Sequence, residues 1–218
     1  KSDSYMNELE YIMFPSMLYK IDRDWLKYFS NLKKIEISKE NKNFKYYNDK
    51  LIIGKSNPNI DDFDSIIFAN RDLIEIEIPS FIKFICPYSF SYCKHLKTVT
   101  FQPDSKLQII DHDAFANSTI EDIKIPSSVE KINNCAFSGC KNLWSVDFSP
   151  DSKLKLLGSY VYSQCPIFGI IIPPLLEKIA VDCFIGIGYS YFSDYLDISN
   201  IEISKENTNF KYYNDNFI

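Results

Sequence analysis

Short runs that alternate aliphatic and polar residues recur along the chain, and each of them predicts a short β-strand. Their frame is L-x-x-I-x-I, in which the fourth and sixth residues point to one side and the third and fifth point to the other. Such units begin at Leu9, Leu32, Leu73, Leu96, Ile120, Leu143, Ile167 and Ile198. The spacing in the middle of the chain is 23 or 24 residues, which is typical of repeats that each contribute one strand.

The rest of each unit is also patterned. Proline ends the strand in alternate units, as in "IPSFIKFI" and "IPSSVEKI", because it lacks an amide donor. A second apolar pair follows, such as Val129 and Ile132, and then an aromatic residue in an A-F-x-x-C pattern. The aromatic position holds Phe90, Phe115, Phe137 and Phe184, with Tyr162 and Leu26 as its variants. One unit cannot bury its apolar side alone, so stacked units are predicted to share a continuous core.

The unit length selects the fold class. Only about 17 residues separate successive strands, too few for a crossover that contains a helix, which argues against a doubly wound α/β fold. The predicted fold is one right-handed leucine-rich-repeat solenoid over residues 1–218, with a parallel sheet of short strands on its concave face and little regular helix. The second unit is longer, and its extra residues at about 44–70 predict a hairpin-like excursion. A smaller excursion is predicted at 186–197.

Fifteen residues occur twice. "IEISKENKNFKYYND" at 35–49 and "IEISKENTNFKYYND" at 201–215 differ only at Lys42 and Thr208. The offset of 166 residues predicts a larger super-repeat. On this interpretation the chain belongs to a longer array, and its C-terminal edge is expected to be exposed.

Two segments carry a family resemblance. "IPSSVEKINNCAFSGCKNLWSVDF" at 125–148 and "PDSKLQIIDHDAFANSTIEDIKIPSSVEKI" at 103–132 resemble BspA-type leucine-rich repeats, also called the Treponema pallidum type. The resemblance covers nearly the whole chain. It implies a surface or secreted protein that binds proteins without catalysis, with adhesion to host cells or matrix as the expected role. The alternative is a structural spacer or antigenic display stalk with no dedicated ligand.

Composition narrows the functional classes. Hydrophobic residues make up 45% of the 218-residue chain, which is enough for a packed core. The net charge is −5 with charges of both signs interspersed, so no basic patch stands out and nucleic acid is not an expected partner. No apolar run approaches the roughly 20 residues of a membrane span, and the N-terminus lacks an apolar signal core. The oligomeric state stays open.

Cysteine and histidine are the residues that most suggest chemistry. Cys93, Cys140 and Cys165 share one repeat position, and side chains of a parallel ladder point the same way, which is poor disulfide geometry. Buried structural thiols are therefore predicted. No metal site is expected, since the chain has no C-x-x-C pair and only two histidines. His95 and His112 fall at turns and are predicted to be solvated.

Other short motifs fail on inspection. The G-K-S at 54–56 ends like a phosphate loop, but that loop needs a glycine where this chain has Asp49. Glu75 and Glu77 project from one strand face, yet nothing indicates the pocket that acid–base chemistry requires. The sequence therefore predicts neither a cofactor nor an enzyme.

The outward positions of the strands are the predicted binding surface. The third and fifth residues are Tyr11, Met13, Lys34, Glu36, Glu75, Glu77, Thr98, Thr100, Asp122, Lys124, Ser145, Asp147, Gly169 and Ile171. The tentative binding residues are those from Glu75 to Asp147 together with Trp144 and Phe168. These two aromatics occupy the second position of adjacent units, where they either contact a ligand or cover the edge of the core. The aromatics at 44–47 likewise either bind or fold back onto the solenoid.

A sequon suggests a modification. Asn117-Ser118-Thr119 matches the acceptor motif for N-glycosylation. It falls in the turn after Phe115, where a glycan would be accessible. The motif is common by chance, so Asn117 is a candidate glycosylation site only.

Overall fold

The chain folds into short strands joined by turns. The computed structural model describes residues 8–180, 182–184, 201–210, 212–213 and 216–217. Within these residues the helical parts are a 3-10 turn at Trp25–Tyr28 and the 3-10 residue Glu8, and no helix there is long and apolar enough to cross a membrane. The strands are β1 (Tyr11–Phe14), β2 (Lys34–Ile37), β3 (Phe44–Tyr47), β4 (Leu51–Gly54), β5 (Ser65–Ala69), β6 (Glu75–Ile78), β7 (Phe84–Ile85), β8 (Thr98–Phe101), β9 (Ile109–Ile110), β10 (Asp122–Ile125), β11 (Lys131–Ile132), β12 (Ser145–Phe148), β13 (Leu156–Leu157), β14 (Ile170–Ile172), β15 (Lys178–Ile179), β16 (Ile201–Ile203), β17 (Tyr212–Tyr213) and β18 (Asn216–Phe217).

The strands of the L-x-x-I-x-I frame stack in parallel, and we call them the long-strand sheet. Strands β6, β8, β10 and β12 form one run, while β1 pairs with β2 and β14 with β16 in the same parallel manner. In β6, Ile76 and Ile78 are buried, whereas Glu75 and Glu77 are exposed. The chain makes about seven turns of a β-solenoid, so the predicted fold class is confirmed.

A second sheet lies on another side of the coil, and the sequence did not predict it. The two-residue strands β7, β9, β11, β13 and β15 pair in parallel, one from each unit, and we call this the short-strand sheet. The second apolar pair of the unit produces it: Val129 and Ile132 are buried, and Glu130 and Lys131 between them face outward. Two residues are too few to show the alternation by which strands are recognised in a sequence.

The insertion of the second unit is part of this sheet. Strands β3, β4 and β5 pair antiparallel in order, and β5 then pairs in parallel with β7. The residues of Leu51–Gly54 and Ser65–Ala69 are all buried. Ile53 packs into the main core, while Ile52 packs into a second cluster with Phe14 of the first unit. The hairpin therefore has apolar cover on both faces, and it extends the solenoid instead of leaving it.

The third side of the coil is a ladder of turns. The amide of Phe115 donates to Ala136 at 2.8 Å, and the amide of Asn117 donates to Ser138 at 2.8 Å, from one unit to the next. Each turn needs two residues with positive φ, four positions apart. These are Tyr88 with Tyr92, Asp113 with Asn117, Cys135 with Gly139, and Tyr160 with Gln164. These hydrogen bonds between units satisfy the backbone N–H and C=O groups of the turns. A helix is therefore not needed on this side, and 23 residues are enough to complete a unit.

Aromatic rings stack behind these turns, at the position that the sequence predicted. Five rings lie in one column with centroid separations of 4.8, 5.3, 5.8 and 5.9 Å and interplanar angles of 15° or less. We call this column the aromatic ladder, and its members are Phe90, Phe115, Phe137, Tyr162 and Phe184. Leu26 is also buried, but in the second cluster beside the first unit.

The two copies of the fifteen-residue segment make the same hydrogen bonds at their asparagines Asn41 and Asn207. Asn41 donates to the carbonyl of Pro15 at 2.7 Å, and Asn207 donates to the carbonyl of Pro173 at 2.7 Å. Each asparagine also accepts a bond from the amide three residues later at 2.9 Å. Identical residues therefore attach each copy to the preceding unit in the same way, which favours the super-repeat interpretation. The predicted unit start at Ile198 and the excursion at 186–197 lie outside the described residues.

Candidate functional site

The outward side chains of the long-strand sheet form one surface, which we call the strand face. It comprises the second, third and fifth residues of each unit. The predicted candidates Glu75, Glu77, Thr98, Thr100, Asp122, Lys124 and Asp147 are exposed on it, and Ser145 is half-buried. Strand alternation alone positions these side chains, because the residues between them are drawn into the core.

Strand pairing brings the candidates from different units into rows. Glu75 lies opposite Thr98, Thr98 opposite Asp122, and Asp122 opposite Ser145. In the next row, Glu77 lies opposite Thr100, and Lys124 opposite Asp147. Neighbouring strands in a sheet are about 4.8 Å apart, so residues more than 20 positions apart in the sequence become immediate neighbours.

The aromatic pair at the second position is exposed. The amide of Phe168 donates to the carbonyl of Trp144, so the two residues occupy adjacent units. The exposed fraction is 56% for Trp144 and 79% for Phe168. Of the two interpretations left open by the sequence, covering the core edge does not apply, because side chains this exposed shield little from water. Ile171, three residues after Phe168, is 56% exposed and extends the apolar area into β14.

Depressions mark the strand face, and two of them contain predicted candidates. The first has a volume of about 510 Å³ and is lined by Thr98, Asp122 and Lys124 among others. The second has a volume of about 480 Å³ and includes Asp147 and Ile171. It also includes residues that sequence reasoning missed, namely Glu202, Ser204 and Glu206. The frame could have found Glu202, which is the fifth residue of the unit that begins at Ile198.

Most carboxylates of the strand face lack a cationic partner. The lysines Lys34 and Lys97 are occupied, at 3.1 Å from Glu36 and 3.4 Å from Glu121. Glu77 accepts a hydrogen bond from Gln102 at 3.2 Å. Among the described residues, Glu75, Asp122 and Asp147 form no ion pair within 4 Å. The centre of the surface is therefore acidic and unneutralised.

The cysteines have the structural role that their repeat position predicted. All six thiols are free. The Cys140 thiol donates to the carbonyl of Phe115 and the Cys165 thiol to that of Phe137, both at 3.1 Å. A hydrogen bond with Cys140 and burial raise the pKa of Cys165, and burial raises the pKa of Cys86 to about 12. Protonated, buried thiols are poor nucleophiles and poor metal ligands.

The two histidines differ in environment. His95 is exposed, whereas Cys93 near it in the sequence is buried in the core. His112 was predicted to be a solvated turn residue, and this prediction is wrong. Its ring packs edge-on against Tyr88 at 5.4 Å, and its Nε2 lies 2.7 Å from Asp24 of the first unit. Within the described residues, no group of three or more His, Cys, Asp or Glu side chains is placed to hold a metal ion.

Beside His112, a salt bridge attaches the first unit to the fourth. Arg23 donates to both carboxylate oxygens of Asp111 at 2.6 Å, and Asn133 donates to the same carboxylate at 2.7 Å. We call Arg23, Asp24, Asp111 and His112 the N-terminal clasp. Burial acts to raise the pKa of Asp111, but hydrogen bonds led by Asn133 and Arg23 outweigh it, and the pKa is lowered.

This lowered pKa predicts an acid-sensitive clasp. A carboxylate with a lowered folded-state pKa contributes stability above its unfolded-state value near 4, and that stability is lost as the pH falls through the folded-state pKa. Because Arg23 is 62% exposed, the contribution is expected to be only about 0.5–1 kcal/mol. The fluorescence of Trp25 in a Trp144→Phe background measures it during urea titration at pH 7 and at pH 3. Asp111→Asn should reduce the pH-dependent difference by about this amount.

The control for the clasp is Asp151→Asn, which removes an exposed carboxylate elsewhere. This variant should show the same loosening of the Trp25 environment at low pH as the unaltered chain. If Asp111→Asn also behaves like the unaltered chain, the clasp does not depend on the ionisation of Asp111.

The sequon and the insertion aromatics have distinct environments. Asn117 is exposed in its turn, so glycosylation at this residue stays a prediction.

The aromatic residues of the insertion are in contact with the rest of the chain. Phe44 is buried, the ring of Tyr47 packs against Phe81 at 5.7 Å, and the hydroxyl of Tyr46 donates to a backbone carbonyl of β2. The insertion aromatics therefore fold back onto the solenoid, and they add little to a binding surface.

The chain matches a protein-family model. The model of the BspA type leucine-rich repeat region matches residues 3–50 and 61–187 in six copies. The unmatched residues 51–60 contain β4 and the loop that follows it, so the interruption coincides with the insertion. No curated protein sequence matches this chain.

Solved structures of bacterial leucine-rich-repeat proteins are similar in fold. The pneumococcal vaccine antigen PcpA is 19% identical with a TM-score of 0.52, over 94% of this chain and 42% of PcpA. A Bacteroides ovatus leucine-rich repeat protein is 21% identical with a TM-score of 0.49, over 90% of this chain and 51% of its own. A leucine-rich cell surface protein from Faecalibacterium prausnitzii is 17% identical with a TM-score of 0.44, over 66% and 42%. This chain thus spans about half the length of these proteins or less.

Proposed function

Because this chain belongs to the BspA-type leucine-rich-repeat family, it is a protein-interaction repeat protein, and we propose that its strand face binds a protein of a host cell or its matrix. The observation that carries the proposal is the pair Trp144 and Phe168, side by side and 56% and 79% exposed. Large exposed aromatics cost solubility and contribute nothing to this core. At protein interfaces, buried aromatics of this kind supply a large part of the binding energy.

The neighbouring features support a protein ligand. The aromatic pair lies at one end of the row formed by Glu75, Thr98, Asp122 and Ser145. The two depressions lie on the same surface and could receive side chains of a partner. An interface with an aromatic anchor and a polar surround matches the usual anatomy of protein complexes. An open sheet surface that crosses several units suits an extended or folded protein partner better than a small molecule, which prefers an enclosed cavity.

The proposed role includes no catalytic step. Leucine-rich-repeat families are typically non-catalytic. The buried, hydrogen-bonded cysteines of this chain lack the electropositive, accessible setting of a nucleophile. A surface or secreted location is part of the proposal and rests on the family resemblance. In that location Asn117 would be available for glycosylation, and burial would protect the thiols of Cys93, Cys140, Cys165 and Cys183 from oxidation.

Adhesion of the purified chain tests the proposal. Beads coated with the chain are applied to cultured epithelial cells and to immobilised matrix proteins, and bound beads are counted. Trp144→Ala with Phe168→Ala should weaken capture about 30-fold or more, the loss typical of interface hot spots of about 2 kcal/mol. Glu75→Lys with Asp122→Lys should weaken it too, and neither pair should change the melting temperature because all four side chains are exposed.

The matched control makes the same kinds of change away from the strand face. Tyr19→Ala removes an aromatic that is 65% exposed, and Asp62→Lys reverses an exposed charge in the insertion loop. This variant should bind like the unaltered chain. If no strand-face variant ever alters capture, the chain is better described as a structural spacer or display stalk. The identical attachment of the two fifteen-residue copies suits that alternative, because it lets units be added indefinitely.

A further inference from the structure

Lysine side chains recur on the outer face of the short-strand sheet. Each of five successive units places one or two of them there, and we call this surface the lysine face. Its members are Lys83, Lys106, Lys131, Lys153, Lys155 and Lys178. In the sequence they are dispersed among acidic residues at intervals that follow the repeat. In the fold they share one side of the solenoid.

Two outward rows on this sheet define the geometry. Strand pairing places Phe84, Ile109, Lys131, Leu156 and Lys178 side by side in one row. Amide-to-carbonyl bonds place Lys83, Gln108, Glu130, Lys155 and Glu177 in the other. Because adjacent strands are about 4.8 Å apart, Lys131 and Lys178 are separated by about 10 Å along the solenoid axis. Lys106 and Lys153 precede the strands of the two units between which Lys131 lies.

Most lysines of the lysine face have no ion-pair partner elsewhere in the described chain, and the exception is at one end of the face. Lys83 lies 3.9 Å from the buried carboxylate of Asp64. In the described part of the chain, the other five lysines form no ion pair within 4 Å. Asp61, Asp62 and Asp64 share a depression with Lys83 and Lys106 at one end of the face. At the other end, the carboxylates of the two rows are Glu130 and Glu177, and they are outnumbered by the ammonium groups of Lys131, Lys153, Lys155 and Lys178. The strand face on the long-strand sheet has the opposite sign.

We propose that the lysine face binds a linear polyanion, a sulfated polysaccharide, laid along the solenoid axis across successive units. Ammonium groups distributed over neighbouring rows along about 20 Å of the solenoid axis match anionic groups that repeat along an extended chain. Binding by several weak contacts then gains from the release of counterions. This site is on a different sheet from the strand face, and it does not depend on the proposed protein-binding function.

Two other anionic partners fit the face less well. A single-stranded nucleic acid gains much of its affinity from bases stacked on exposed rings, yet the rings here are Phe84, which is half-buried, and Phe81, which is 39% exposed and packs on Tyr47. A membrane surface favours a band of apolar side chains that insert beside the lysines. The exposed apolar residues, Phe81 and Leu175, stand in the third and seventh units, at opposite ends of the face.

Binding of the full chain to dextran sulfate tests the proposal, with uncharged dextran as the reference polymer. Biolayer interferometry should detect dextran sulfate at 50 mM salt and no uncharged dextran. With about five contacts, affinity should fall about 10²-fold between 50 and 200 mM salt. Lys131→Glu with Lys178→Glu should weaken binding at least 10-fold, and Lys131→Arg with Lys178→Arg should preserve it. Circular dichroism verifies that each variant is folded.

The matched control is Lys42→Glu with Lys94→Glu, which makes the same charge change at two exposed lysines outside the face. Position 42 tolerates change, since the second copy of the segment has Thr208 there. The proposal is overturned if dextran sulfate does not bind or if this control loses as much affinity as the test pair. Tighter binding to oligothymidylate or to phosphatidylserine vesicles than to dextran sulfate overturns it as well. None of these results bears on adhesion through Trp144 and Phe168.

Discussion

Replacement of Phe137 by alanine is expected to lower the free energy of unfolding by about 3–5 kcal/mol, the largest loss that we predict for this protein. Phe137 is fully buried at the middle of the aromatic ladder, with ring centroids 5.3 Å from Phe115 and 5.8 Å from Tyr162. Alanine would leave a cavity between two rings. The surroundings cannot collapse into it, because the amide of Phe137 donates to Val161 and fixes the separation of the two turns.

Urea denaturation followed by far-UV circular dichroism measures this loss. The matched control is Phe168→Ala, an identical substitution at a side chain that is 79% exposed, for which the change should stay within about 0.5 kcal/mol. Since units of a solenoid contact only their neighbours, Phe137→Ala should also broaden the transition as the two ends unfold separately. A loss below about 1 kcal/mol would show that the ladder does not hold adjacent turns together.

Alanine at position 158 is expected to be the second most damaging change, with a loss of about 3 kcal/mol, at the upper end of overpacking effects. A Cβ atom on Gly158 would lie 2.7 Å from the backbone nitrogen of Asn134 and 2.9 Å from the backbone carbon of Asn133. Both atoms belong to the preceding unit, which is bonded to this one where the amide of Gly158 donates to Ile132 at 2.9 Å. The two units would have to separate to admit a methyl group.

The control for position 158 is Gly169→Ala, at an exposed position just before β14, where a methyl group should be neutral or slightly stabilising. A double variant separates the sources of the clash. Asn134→Ala removes the side-chain oxygen that would lie 2.5 Å from the new Cβ, but it leaves the backbone contacts in place. Gly158→Ala should therefore remain destabilising in the Asn134→Ala background. Full recovery of stability in the double variant would place the clash on the side chain alone.

The strand face shows which side-chain orientations can be predicted from the local sequence pattern. Glu75 and Glu77 were predicted to face outward because Ile76 and Ile78 lie between and beyond them, and that alternation is present. The exposure of Trp144 and Phe168 was left open, since an aromatic at a strand entrance can turn either way. Only the packing of the neighbouring units determines whether such a ring is covered.

Other features depend on contacts between distant segments. Arg71 follows the insertion and carries no sign of burial in the sequence, yet its guanidinium stacks 4.6 Å over the ring of Phe68 and donates to the carbonyl of Ser89 at 2.8 Å. The partnership of Arg23 with Asp111 joins residues 88 positions apart. The repeat period does not predict such pairs, because they form between residues that have no equivalent in the other units.

The sequence by itself determined the repeat, the inward residues of each unit and the aromatic ladder, because strand alternation and unit length are local properties of the chain. The tertiary structure decided which surface each charge belongs to. Lys131 and Asp122 are nine positions apart, yet Lys131 lies on the sheet that carries Lys178, and Asp122 lies on the sheet that carries Asp147. The physical reason is that the coil returns to the same side once per unit, so neighbours on a surface are set by the closing of each turn and not by order along the chain.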